Sequence, residues 1–153
     1  MYLFQDNSPI YPLTSKLPTF KKFRKSLSEF LHRLIASAAE LGSLYTSDLL
    51  PILQAWVVAM SSSHLRSFRH TATTIALELE TALCDVAAAV EKEADIVTRQ
   101  SEGEKKRKGK AANSGREKEI AKHAAEVKNR RARVTEFLGE FFDGYVSVLL
   151  EEW

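Results

Sequence analysis

From Phe20 onward, apolar residues return at three- and four-residue steps: Phe20, Phe23, Leu27, Phe30, Leu31, Leu34, Ile35, Ala38 and Leu41. That spacing lines one face of a helix. Thr19, directly after Pro18, is suited to cap its start, and Gly42 is suited to end it. Its other face takes Lys21, Lys22, Lys25, Ser28, Glu29, Arg33 and Ser37. Thr46-Ser47-Asp48 opens a second helix, with Pro51 in the first turn where proline is tolerated. From Leu49 to Met60 the residues are apolar nearly all round, which predicts a helix buried on most sides. Ser61-Ser62-Ser63 interrupts the pattern and supplies the next cap. A third helix follows from about His64 to about Thr98. Its stripe is Leu65, Phe68, Ala72, Ile75, Leu79, Ala82, Val86, Ala89, Val90 and Val97, and it is about 50 Å long at ~1.5 Å per residue.

After Glu91 the surface of that helix becomes highly charged, so its end is expected to protrude. A fourth helix begins near Arg116. Ile120, Ala124, Val127, Arg131, Val134, Leu138, Phe141, Tyr145 and Val148 step by four and three, a heptad pattern. Paired with the end of the third helix it predicts an antiparallel hairpin, with Arg131 snorkelling from an apolar seam. Gly139 and Gly144 predict a break in this helix. The fold class is therefore all-α: an extended arm over 1–19, a helical body over 20–100, a basic flexible hairpin tip over 101–115, and a return helix with a C-terminal helical segment over 116–153. The arm carries Pro9, Pro12 and Pro18, which disfavour helix, and apolar anchors at Leu3, Phe4, Ile10, Tyr11 and Leu13.

The hydrophobic fraction of 44% is enough for a real core, which argues against global disorder. A net charge of +2 says little, but its distribution says more. Residues 1–41 carry six basic and three acidic groups, 42–103 four and eight, 104–133 twelve and four, and 134–153 none and five. Blocks of alternating sign point to contact surfaces. The single cysteine, Cys84, excludes an intrachain disulfide framework and is read as a buried, inert thiol. No apolar run approaches the ~18 residues of a membrane helix and the N-terminus lacks a signal-peptide pattern, so an intracellular chain with no membrane contact is expected.

Enzyme constellations are poor. There is no Gly-rich phosphate loop, no His-x-x-x-His and no Cys cluster, so neither a metal nor a cofactor is expected. His70 with Asp85 or Glu78 makes a weak catalytic pair. The preferred reading packs His70 at a helix contact, bonded to a backbone carbonyl. The basic segments weigh more. Lys21, Lys22, Arg24 and Lys25 place four cations within five residues at the start of a helix, where the macrodipole disfavours them by a few tenths of a kcal/mol each, on the order of surface effects. They are either a solvated face or a phosphate-binding one. Arg66 and Arg69 share a face, with His70 one turn beyond Arg66; they either pair with acidic groups or extend the first patch. The run Lys105, Lys106, Arg107, Lys108 and Lys110 is a solvated loop, a nuclear localisation signal, or a nucleic-acid or partner contact. No aromatics interleave with these cations in exposed loops, which disfavours single-strand stacking. Any nucleic-acid contact is expected to be with duplex backbone.

Tyr11-Pro12-Leu13-Thr14, Phe20-Lys21-Lys22-Phe23-Arg24 and Ser63-His64-Leu65-Arg66-Ser67-Phe68-Arg69-His70-Thr71-Ala72-Thr73 together resemble the STAG domain, the N-terminal signature of the cohesin accessory subunits of the SA/STAG/Scc family, with a fungal-looking charged hairpin at 91–133. The resemblance covers roughly residues 10–135. It implies a nuclear, chromatin-associated, non-catalytic protein of HEAT-repeat type. Its expected role is sequence-independent duplex DNA binding in support of sister-chromatid cohesion and chromosome segregation. The family's association of its Lys-Lys-Phe-Arg stretch with duplex DNA carries over to Lys21, Lys22 and Arg24, with Lys25 adjacent and Arg66 and Arg69 as supports. It also implies other cohesin subunits as partners, with kleisin contacts mostly outside this stretch. The alternative is a module docking cohesin regulators without direct DNA contact. The family's Val-Phe-Val-His-Arg-Tyr-Arg-Asp-type continuation is replaced here by Phe141-Phe142-Asp143-Gly144-Tyr145 and the residues after it. With the short length, that departure implies an N-terminal portion of a larger subunit.

Overall fold

The computed structural model describes residues 10–107 and 114–151, with the side chains of 105–107, 114, 116–117 and 145–151 outside the description. Among the described residues there is helix and turn but no strand. A single 3-10 turn, Pro18–Phe20, leads into α1 (Phe23–Glu40), α2 (Ser43–Thr46), α3 (Leu49–Ser61), α4 (Arg66–Arg107) and α5 (Ser114–Glu151). The all-α fold read from the periodicity is the one observed.

The chain rises along α1, turns through α2, descends along α3, rises along α4 and descends along α5. Ser28 and His32 of α1 meet Glu78 of α4, which sets α1 and α4 side by side. Gln54 of α3 donates to the Glu140 carbonyl of α5 at 2.9 Å. The reversal after α1 hinges on Gly42, whose φ of 76° lies in the left-handed region that glycine adopts without a Cβ clash. One core joins all five helices: Leu31, Ile35 and Ala38 of α1, Leu44 of α2, Leu50 and Val57 of α3, Ala72, Ala76, Leu79, Leu83 and Val90 of α4, and Val127, Val134, Phe137 and Phe141 of α5.

Several expectations change. Thr19 does not cap α1; Pro18 starts a 3-10 turn and Lys22 occupies the cap position with no side-chain bond. α4 starts two residues later than expected and runs to Arg107, so 101–107 is helix where loop was expected. At ~1.5 Å per residue its 42 residues span roughly 63 Å. α5 passes Gly139 and Gly144 without a break. At Gly144 the missing side chain lets α3 approach: a Cβ there would lie 3.3 Å from Gln54 Nε2 and 3.8 Å from Val58. The heptad also drifts. Arg131 is exposed and paired with Glu91, while Phe137 is buried. A straight helix of 3.6 residues per turn shifts its buried face against a 3.5 repeat. Cys84 is exposed, not buried, on a side of α4 that also exposes Leu77, Thr81 and Ala88. α3 is not buried on most sides: Ile52 and Trp56 face outward. Phe23 and Phe30 of α1 and Leu41 at its C-cap are exposed as well, so the apolar stripe is wider than the neighbour it packs on.

Gly42→Ala is expected to lower stability by about 1 kcal/mol, the order of cost of an L-residue in the left-handed region, measured by urea denaturation. Replacing 101–117 with a short Gly-Ser turn removes residues beyond Val97 and Val127, the outermost buried positions of the hairpin among the described residues. It is expected to leave Tm within a few degrees, and a large loss would place the tip in the core.

Candidate nucleic-acid interface

The basic segment sits where the chain enters α1. Lys21 ends the 3-10 turn, Lys22 is the α1 cap residue, and Arg24 and Lys25 lie in the first turn, which holds no acidic residue. All four side chains are exposed. Lys25 lies 3.6 Å from Glu29, an exposed i,i+4 pair of little energetic weight. No other carboxylate is near in sequence: none occurs from 7 to 28, and none from 49 to 77.

The segment is held in place by polar contacts to α4. The Tyr11 hydroxyl lies 2.8 Å from His70 Nδ1 and 2.9 Å from Thr71 Oγ1. The Tyr11 and His70 rings meet edge to face at 5.6 Å between centroids. Downstream, Ser28 donates to Glu78 at 2.6 Å, and His32 Nε2 lies 3.2 Å from the same carboxylate. Residues 12–27 are therefore tied to α4 at both ends. His70 is exposed, and its partner is the arm's tyrosine rather than a backbone carbonyl. Glu78 and Asp85 are taken up by His32 and not by His70, with Asp85 3.9 Å from His32 Nδ1.

Arg66 and Arg69 lie in the first turn of α4. Arg66 is exposed. Arg69 is half-buried, and its Nη1 donates to the Ser63 carbonyl at 2.8 Å, bracing the α3–α4 corner. Lys105, Lys106 and Arg107 fall in the last turn of α4 with their side chains outside the description, and Lys108 and Lys110 lie outside the described residues altogether.

A second polar cluster locks the base of the hairpin. Glu93 of α4 accepts from Arg130 Nη2 at 2.7 Å and lies 2.9 Å from His123 Nε2. The Arg130 hydrogen bond holds the Glu93 carboxyl below its usual range, against the opposing effect of burial. Tyr45 of α2 is pushed up by burial, and the Arg130 charge partly offsets that. Glu80 on α4 is raised by burial, and its Oε1 has no hydrogen-bond partner among the described residues. These pairs were missed in the sequence because they join residues 30 to 37 positions apart. Aligning the two hairpin strands of sequence antiparallel would have placed Glu91 and Glu93 opposite Arg130 and Arg131.

Residues 9–123 match the STAG domain, a span that takes in the Tyr11 clasp, the basic segment and the α3–α4 corner. The chain belongs to the STAG domain family. Among its relatives, the cohesin subunit psc3 of Schizosaccharomyces pombe is 36% identical over 133 residues, covering 87% of this chain and 14% of that protein. The cohesin subunit SA-1 of Xenopus laevis is 32% identical over 155 residues, covering 97% of the chain and 12% of that protein. The human cohesin subunit SA-3 matches at 32% over the same length and shares. This STAG chain thus spans only about an eighth of the length of those relatives.

The Glu93 carboxyl loses its proton more readily in the folded chain than in the unfolded one. Its contribution to stability is therefore complete at neutral pH and is lost as pH falls through and below the ordinary carboxylate range. Glu93→Gln is expected to lower Tm at pH 7 and to flatten the fall in Tm between pH 5 and about 3, the window for such a carboxylate, read by calorimetry across pH.

Proposed function

We propose that this STAG chain gives a cohesin complex a non-catalytic, sequence-independent grip on duplex DNA, in the nucleus and on chromatin, in support of sister-chromatid cohesion. The observation that carries this reading is the cluster of Lys21, Lys22, Arg24 and Lys25 at a helix start with no carboxylate in its first turn. Evenly spaced phosphates are the partner that such a field suits. Arg66 extends the patch, and Arg69 supports it by bracing the corner through Ser63. The clasp on Tyr11 and the Glu78 contacts give the patch a fixed position, so DNA binding costs little ordering of the backbone. The names of the relatives support membership in a cohesin assembly. Other cohesin subunits, the kleisin among them, are the expected partners through further parts of such a protein, built as a HEAT-type solenoid. The basic run of Lys105, Lys106, Arg107, Lys108 and Lys110 is assigned to nuclear import or partner contact.

Reversing all four charges (Lys21→Glu, Lys22→Glu, Arg24→Glu, Lys25→Glu) places acids at a helix N-terminus, where the macrodipole favours them. The fold is thus expected to survive, as checked by circular dichroism. Binding to a fluorescent duplex, followed by anisotropy across a salt series, is expected to be abolished or to lose about 3.6 units of log–log slope, from four contacts at ~0.9 each. An unchanged affinity and slope would refute the assignment.

A further inference from the structure

Uncharged from Leu49 to Ser61, α3 nevertheless turns one face outward. Ile52, Ala55, Trp56 and Ala59 are all exposed and fall at steps of three and four, so they share that face. Trp56 is 68% and Ile52 56% exposed, and the adjoining corner leaves Phe68 50% exposed. A lone exposed leucine needs no explanation, but an exposed tryptophan one turn from an exposed isoleucine marks a contact surface. Beside the Trp56 ring the surface is hollow. Ala55, Trp56, Ala59, Met60, Ser63 and Phe68 bound a depression of about 330 Å³.

The carboxylates of α5 lie on another side of α3. Gln54 donates to the Glu140 carbonyl and Val58 lies near Gly144, so these two residues mark the side that meets α5. Each is two residues from Trp56, about 200° round a helix of 3.6 residues per turn. Arg66 stands in the same relation to Phe68 on α4 and projects away from the depression. Asp48, at the α3 cap position one turn before Ile52, is the charge that this face does present.

A symmetric pair sets a surface against its own copy, so it needs a face that does not repel itself. This face meets that condition when two α3 helices run antiparallel with the two-fold between positions 55 and 56. Ile52 then lies opposite the partner's Ala59, large against small, at both ends of the contact. Asp48 lies opposite the partner's Ser63, whereas a parallel pair would set Asp48 against the partner's Asp48. The two Trp56 side chains meet beside the axis. A helical side chain leans toward its own N-terminus. In an antiparallel pair that direction runs along the other copy toward Ala59, Met60 and Ser63, where the depression lies. Each indole is thus aimed into the other copy's hollow. Between Leu49 and Ser61 the face offers no cation for a phosphate or an anionic headgroup.

We propose that this chain pairs with a second copy of itself through the outward face of α3, antiparallel, with Trp56 of each copy seated in the other's depression between α3 and the first turn of α4. The apolar surface available is roughly 400 Å² per copy, taking ~150–250 Å² for a full large side chain. That is about half of the ~800 Å² per partner of a stable complex. The pair is accordingly weak, with a dissociation constant on the order of 10–300 μM, and forms where copies are held at high local concentration. It does not rest on the phosphate-binding role of Lys21–Lys25.

Sedimentation velocity on the 153-residue chain, in reductant and across that concentration range, tests this. A reversible monomer–dimer equilibrium is expected. Trp56→Ala is expected to weaken it at least tenfold, with Tm unchanged because the side chain is exposed. Ala59→Leu sets large against large opposite Ile52 and is expected to weaken the pair several-fold. Adding Ile52→Ala to the same chain restores the large–small match and is expected to restore affinity. For orientation, Ile52→Cys and Ala59→Cys are made separately in a Cys84→Ser background. Under mild oxidation their mixture is expected to give a disulfide-linked dimer that neither variant gives alone. Duplex binding by the Trp56→Ala protein at nanomolar concentration is expected to be unchanged, so failure of this pairing and failure of the DNA assignment are told apart. Five results would overturn the proposal: a chain monomeric to the top of the range; a dimer indifferent to Trp56→Ala; no rescue by Ile52→Ala; an Ile52→Cys protein that links to itself, the mark of a parallel pair; or Trp56-dependent binding to phosphatidylserine vesicles or to a purified cohesin subunit in place of a dimer.

Discussion

Burial of α4 is the constraint on which the rest of the molecule depends. α1, α3 and α5 each pack against it. A helix covered from several directions needs a wide buried arc, and α4 supplies it with Ala72, Ala76, Leu79, Ala82, Leu83, Val86 and Val90. The small alanines allow neighbouring helices a close approach, and the leucines and valines supply the apolar surface buried between them. Removing a fully buried leucine such as Leu79 from this ridge would cost about 2–5 kcal/mol. No exposed contact described above approaches that.

Polar contacts then fix what the apolar ridge leaves free. Burial alone sets α1 beside α4 but says little about its position along the helix axis. Glu78 sets it by engaging Ser28 and His32 together. Tyr11 does the same for the arm, and Glu93 for the hairpin. Each of these contacts is modest on its own. Together they hold the cations at the α1 start and the aromatic hollow at the α3–α4 corner on a single frame.

Much of this was legible from the residues. The 3.6 periodicity gave the four long helices, and Gly42 marked the first reversal. Beyond the pairing of the two hairpin helices, what escaped was decided by individual partners distant in sequence. α3 looked buried because its residues are apolar, yet composition cannot say whether a neighbour exists to cover Ile52 and Trp56. Cys84 looked buried for the same reason. Gly139 and Gly144 looked like a break because intrinsic propensity was weighed without the packing of α3 on α5, which outweighs roughly 1 kcal/mol per glycine. The basic cluster at Lys21–Lys25 could be read directly because its meaning lies in consecutive residues. The clasp that fixes it could not, since Tyr11 and His70 are 59 positions apart.

From Arg66 to Glu102 α4 contains neither glycine nor proline. Sharp kinks arise at such residues or at interruptions of the hydrogen-bond ladder, so over this length α4 behaves as a stiff rod. One end carries the cationic corner and the other carries the hairpin tip. An unbroken helix of this length therefore sets the distance between the α3–α4 corner and the far end of the hairpin.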